Sequence, residues 1–211
     1  AINDNDVIAT SILSGNRNIS CGTCHHHDHG SSDGLSLGIG EGGEGLGPKR
    51  TAQSGDTRIR KRIPRNAPGL WNLGAKDISV MFHDGRLSVS DLYGNGFDSP
   101  AEEWLPEGLD SLLAAQALFP MTARFEMGGD PEESEIGGAI HDRIDAAWPI
   151  IAGRVRGIEG YRQMFPDAFD EITDPAGIDI THIARAIAAF IGTEWRNHDS
   201  AFDAYLAGDA R

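Results

Sequence analysis

Cysteine is scarce in this chain: two among 211 residues, three positions apart. That excludes a disulfide framework, because a bridge across two intervening residues closes a loop too small to constrain the unfolded chain. Long apolar runs are missing as well. No stretch of about eighteen apolar residues occurs, so nothing in the sequence reads as a membrane span. Basic residues are outnumbered, with 18 Lys and Arg against 32 Asp and Glu and a formal net charge of −14. Such a balance argues against nucleic acid, whose binding depends on cations neutralising phosphates. It suits small neutral substrates or basic protein partners. Period-2 alternation never lasts more than a few residues, so no extensive sheet is expected, and no internal repeat is visible. There is no signal-peptide pattern, and the opening AINDNDV reads as a mature terminus left after processing.

What the chain does contain is concentrated near its start. CGTCHHHDHG, residues 21–30, holds both cysteines and four histidines, and Asp33 follows closely. Cys21-Gly22-Thr23-Cys24-His25 fits C-x-x-C-H, the attachment signature of a c-type haem. The spacing has a mechanism: two thiols add to two vinyl groups of the porphyrin, and the next residue, His25, is held beneath the iron. A zinc knuckle is one alternative, but zinc prefers two separated ligand pairs and there is no second cysteine pair. A redox dithiol is another, but it needs a preceding strand and a following helix. His26, His27 and His29 read as solvated loop residues, because a haem iron offers only two axial positions. Gly38-Ile39-Gly40-Glu41-Gly42-Gly43 fits G-x-G-x-x-G. No strand is expected before it and no helix after it, so it is not read as a dinucleotide site.

The length allows one large domain, and 39% hydrophobic residues can build a core. Residues 7–15, VIATSILSG, read as a short helix. Residues 21–107 read as mostly loop, punctuated by many of the 27 glycines and 10 prolines. Beyond them the pattern is helical. Leu109, Leu112, Leu113 and Leu118 line a helix expected to stop at Pro120. Ile136, Ile140, Ile144 and Trp148 recur at helical spacing up to Pro149, and Ile180, Ile183, Ile187, Phe190 and Ile191 form the face of a final helix. Met81, Met121, Met127 and Met164 are read as core residues. Met127 is expected in an extended stretch, pointing away from Glu126. The expected fold is all-α, cytochrome c-like, with long loops and helical insertions.

The segments ISCGTCHHHDHGSSDGLSLGIG, PRNAPGLWNLG, MFHDGRLS, FPMTARFEMGG and HIARAIAAFIGTEWRNHDSAFDAYLAGD run over residues 19–209. Together they resemble the N-terminal half of bacterial di-haem cytochrome c peroxidases, a family that includes the enzyme maturing methylamine dehydrogenase. The resemblance implies one covalent haem c held by Cys21, Cys24 and His25, the last as iron ligand, with Arg65 as a further cofactor contact. It also implies a catalytic role for Glu126 over the distal haem face, where a carboxylate can move a proton between peroxide oxygens. Pro120 and Phe82 are implied to shape the same pocket. Taken alone, Glu126 reads as a charge ahead of a helix capped by Asp130 and opened by Pro131, and Pro120 as a helix stop. Asn66 matches a position that in the family helps bind calcium, a hard cation that an amide oxygen suits. Taken alone it is a turn residue between prolines.

Three departures from the family pattern matter. Ile39 stands where many members have a distal histidine, which implies an iron with an open or water-bound sixth position. His83, in Phe82-His83-Asp84-Gly85-Arg86, stands where a tryptophan is usual on the route between haems. There is no second C-x-x-C-H, so residues 1–211 are expected to form a single haem domain of a longer protein. The expected function is reduction of hydrogen peroxide in the periplasm with electrons from a small redox protein. The rivals are a pure electron carrier and an enzyme oxidising a partner protein.

Overall fold

The computed structural model describes residues 10–55 and 62–208. The first regular element is α1, Cys21–Cys24, a single turn. Ser20 starts it: its backbone N–H donates to Thr23 Oγ1 at 3.0 Å, so the cap holds the thiols in helical register. The glycine-rich stretch that follows is loop, as expected, but it pairs in two places. Strands β1 (Gly43–Glu44) and β2 (Thr51–Ala52) run antiparallel, with Gly43 opposite Ala52. Strands β3 (Val80–Met81), β4 (Leu87–Val89) and β5 (Phe97–Asp98) form a small antiparallel sheet in that order. Strands this short leave no alternation to read. The expected helix over residues 7–15 falls partly outside the described residues, and residues 10–15 form turns instead.

Helix α2, Leu112–Thr122, is capped by Ser111, whose Oγ accepts from Ala114 N at 3.2 Å. Pro120 was expected to end it and does not; the helix runs two residues further. A proline this close to a helix end removes one ladder bond and leaves no long continuation to distort. The chain then winds into a π turn, Arg124–Gly128, in which Glu126, Met127 and Gly128 all donate to Ala123 O, at 3.0, 3.2 and 3.0 Å. This corrects the extended reading of Met127, which is buried on that turn. Neither Asp130 nor Pro131 begins the next helix. Helix α3, Glu135–Asp142, is capped by Ser134, whose Oγ accepts from Gly137 N at 2.9 Å.

The stripe from Ile136 to Trp148 does not form one helix. A 3-10 turn at Ile144–Ala147 separates α3 from α4, Trp148–Arg156. Pro149 opens α4 rather than closing its predecessor, because the N–H it lacks would have been unpaired at that position anyway. Helix α5, Glu159–Ala168, lies within the region read as helical. Helix α6, Ile180–Glu194, matches its predicted face, with Ile180, Ile183, Ile187 and Ile191 buried. Asp179 caps it by accepting from Thr181 N (3.0 Å) and His182 N (3.2 Å). A short α7, Ala201–Leu206, follows. Helices α2 and α6 pack against each other at the centre of a core that includes Leu118, Met121, Ile151 and Trp195, each no more than 1% exposed. Cys21, Cys24, Phe82 and Phe119 pack on its edge. No helix of the described residues is long and apolar enough to cross a membrane.

Candidate functional site

The site grows from α1. Neither cysteine forms a disulfide, and both are half-buried against the core. Burial pushes the Cys21 thiol up to about 11. Burial also pushes Cys24 up to about 12, helped by Asp33, Glu126 and Cys21 and opposed by the Arg50 cation. Redox dithiols work the other way, with a thiolate stabilised at low pKa. Among the described residues, no three His, Cys, Asp or Glu side chains converge to hold a metal ion, as a zinc knuckle would need. Raised values of this kind do not fit a redox dithiol, and no zinc-binding cluster accompanies the pair among the described residues.

His25 is poised as a ligand. Its ring nitrogen Nδ1 lies 3.0 Å from Ser31 O. A carbonyl only accepts, so Nδ1 carries the hydrogen and Nε2 keeps the lone pair of the neutral ring. Burial lowers the imidazole pKa and favours that neutral form, against the opposing pull of the Ser31 and Pro68 carbonyls. A backbone carbonyl on the far nitrogen is the usual partner of a metal-bound histidine. The supporting loop is tied down by Ser31, whose Oγ accepts from Leu70 N at 2.7 Å, and by Ser32, whose Oγ lies 2.9 Å from Asn66 Oδ1 and 2.7 Å from Ala67 O. Two thiols one helical turn apart and a neutral, oriented imidazole fit a covalently bound haem c.

Glu126 lies close enough for its charge to act on Cys24. Cys24 Sγ reaches Ile39 O at 4.0 Å, and residues 39–41 lie flush against the π turn. Glu41 N donates to Glu126 O at 2.8 Å. At Gly40 any Cβ would stand 1.9 Å from Phe125 O and 2.6 Å from Glu126 O, so only glycine permits this approach. Burial raises the Glu126 carboxyl above its ordinary value, with the Arg86 cation opposing. Arg86 in turn covers the Phe82 ring at 4.5 Å and pairs with Asp84 at 3.0 Å. Phe82 sits at φ +64, a left-handed backbone that is uncommon for an aromatic residue, and meets Phe119 edge-on at 5.6 Å. Thus Glu126 and the Phe82–Arg86 hairpin are brought towards one another, with Pro120 adjoining Phe119 on α2.

Other expected residues lie further out. Arg65 is exposed and contributes its backbone carbonyl, which accepts from Gly38 N at 3.1 Å. Asn66 is exposed beside Ser32. His83 is exposed, with Nε2 3.9 Å from Asp84 Oδ2, and serves as a polar surface group. Met81, Met121 and Met127 are buried in the core. Met164 lines a small apolar cavity of about 50 Å³ beside α5 and α6, far in sequence from α1. His27 is not simply solvated: its ring lies 5.3 Å from that of Trp195. The glycines of the rejected dinucleotide pattern lead into strand β1, not a helix. Sequence reasoning missed Arg50, a buried cation with its guanidinium on the loop of residues 39–45, and gave Arg86 no role. A single arginine inside a glycine-rich loop has no periodicity to reveal it.

A family model described as di-haem cytochrome c peroxidase matches residues 9–211. The chain belongs to that family. It is 25% identical over 197 residues to the methylamine utilization protein MauG of Methylorubrum extorquens, a match covering 93% of this chain and 38% of the relative. It is also similar to the crystal structure of a MauG-like protein associated with microbial copper homeostasis, with a TM-score of 0.52 and 25% identity over 99% of this chain and 43% of the other. The chain therefore spans less than half the length of either relative. The family comprises haem c oxidoreductases, in keeping with the residues gathered around α1.

Proposed function

We propose that this chain is the peroxidatic haem domain of a di-haem peroxidase, reducing hydrogen peroxide to water with electrons from a small redox protein. The observation that carries the reading is Glu126, a half-buried carboxyl with a raised pKa, anchored through its backbone to the loop that also touches Cys24. A haem c, when bound through Cys21, Cys24 and His25, supplies the iron chemistry that divides the O–O bond. The chain's own residues do the rest. Glu126 takes a proton from one peroxide oxygen and returns it to the other. Phe82, with Phe119 and Pro120, limits water around that carboxyl, and the Arg86 charge tempers its pKa. Arg65 holds the loop of Gly38 through its carbonyl, and Asn66 offers a hard oxygen to a calcium ion.

Ile39 has no ligating atom in its side chain, so it would not block peroxide from a haem bound there. The pure electron-carrier reading needs a methionine or histidine there, and three of the four methionines are committed to the core. The −14 charge favours a basic electron donor, and haem c attachment favours the periplasm. Because the 211 residues hold one C-x-x-C-H, the second haem is expected from sequence outside them or from another polypeptide. Adding cyanide or peroxide to the haem-loaded protein tests the reading. An immediate Soret shift is expected, and an unresponsive spectrum with a bis-ligated low-spin iron contradicts it.

A further inference from the structure

We propose that Arg50 is a positioning residue that holds Glu126 in place, acting through residues 39–41. The proposal rests on the reading of Glu126 given above. Arg50 is only 4% exposed, so its guanidinium is a buried cation that must be satisfied where it lies. All three of its nitrogens donate to backbone carbonyls: Nε to Ile39 O at 2.7 Å, Nη2 to Gly40 O at 2.8 Å and Nη1 to Gly45 O at 2.8 Å. These bonds are short and charge-assisted. They converge on the segment that meets Glu126. Its next residue, Glu41, donates to Glu126 O at 2.8 Å, and Gly40 has no free space on the side facing Phe125 and Glu126.

The local sequence makes room for this clamp. A Cβ at Gly43 would stand 2.8 Å from Arg50 Cζ and 2.5 Å from Ile39 Cγ2, so a glycine there lets the guanidinium reach the carbonyls. The same loop meets Cys24 at Ile39 O, which ties the clamp to the haem attachment point as well. Loop 39–41 thus touches both Cys24 and Glu126, and Arg50 fixes its backbone carbonyls. A lysine keeps the charge but lacks the planar fork that spans three carbonyls. The clamp depends on geometry, so charge alone does not replace it.

Two measurements on the haem-loaded full chain test this. The first is amide hydrogen exchange in wild type, Arg50→Gln and Arg50→Lys. Exchange over residues 39–45 and 124–128 is expected to quicken together by about tenfold or more in both variants, with α6 unchanged. Unchanged exchange over residues 124–128 in either variant overturns the proposal, as does a normal rate in the lysine variant. The second is a double-mutant cycle with Glu126→Gln, read as the rate constant for reaction with hydrogen peroxide. Arg50→Gln is expected to slow that reaction at least about tenfold, and the double variant to be little slower than Glu126→Gln alone. Fully additive losses overturn the coupling. If Glu126→Gln reacts as fast as wild type while the exchange result holds, the clamp stands and the peroxide role of Glu126 fails.

Discussion

Replacing Glu126 by Gln removes a proton carrier while keeping its shape. The π turn is held by backbone bonds, Glu126 N to Ala123 O at 3.0 Å and Glu41 N to Glu126 O at 2.8 Å, and neither involves the side chain. The variant should therefore fold and attach haem normally. Positioned general acid–base catalysis contributes roughly 10²–10⁴-fold, so the rate constant for peroxide should fall by that factor. At ~1.36 kcal/mol per tenfold this is about 3–5 kcal/mol of barrier. Stability should move the opposite way. A carboxyl whose pKa is raised by burial favours the fold most below its ordinary value of 4.5 and loses that contribution as pH rises through the raised one. Glutamine does not titrate, so the variant should match or exceed wild-type stability at neutral pH and lose the advantage in acid. Stopped-flow absorbance at the Soret band gives the rate, and urea unfolding at pH 4 and 7 gives the stability. Full peroxide reactivity together with an unchanged pH dependence of stability would refute the reasoning.

Three further outcomes follow from the packing. Gly40→Ala forces a methyl to within 1.9 Å of Phe125 O. It should separate residues 39–41 from the π turn, slow the peroxide reaction and lower the unfolding midpoint; near-normal values for both contradict the close packing. Leu118, fully buried where α2 meets α6, should cost about 2–5 kcal/mol on truncation to alanine, measured by urea unfolding. His25→Gly should leave the thioether links intact but let added imidazole bind the iron and restore the wild-type spectrum. An imidazole-insensitive spectrum would place the ligand elsewhere.

The parts of this molecule that follow short-range rules were legible in the sequence. C-x-x-C-H works at fixed spacing, and α6 carries its face in five residues at helical period. Pro120 and Pro149 misled for one reason: a proline is a breaker only in a helix interior, and these lie near a C-terminus and at a first turn. The π turn that presents Glu126 has no period of its own, and the family resemblance, not the local pattern, drew attention to that carboxylate. Arg50 escaped notice because its role exists only once residues 39, 40 and 45 curl around it. The Phe82–Arg86 hairpin joins the site by tertiary contact with Phe119, which spacing along the chain cannot express.

The central claim is that Cys21 and Cys24 carry a haem whose iron is bound by His25. Intact mass of the chain matured in a periplasm, paired with a pyridine haemochrome spectrum, tests it directly. The account predicts one haem c per chain, attached through both sulfurs. A colourless polypeptide with two free thiols, or one holding zinc, would contradict it.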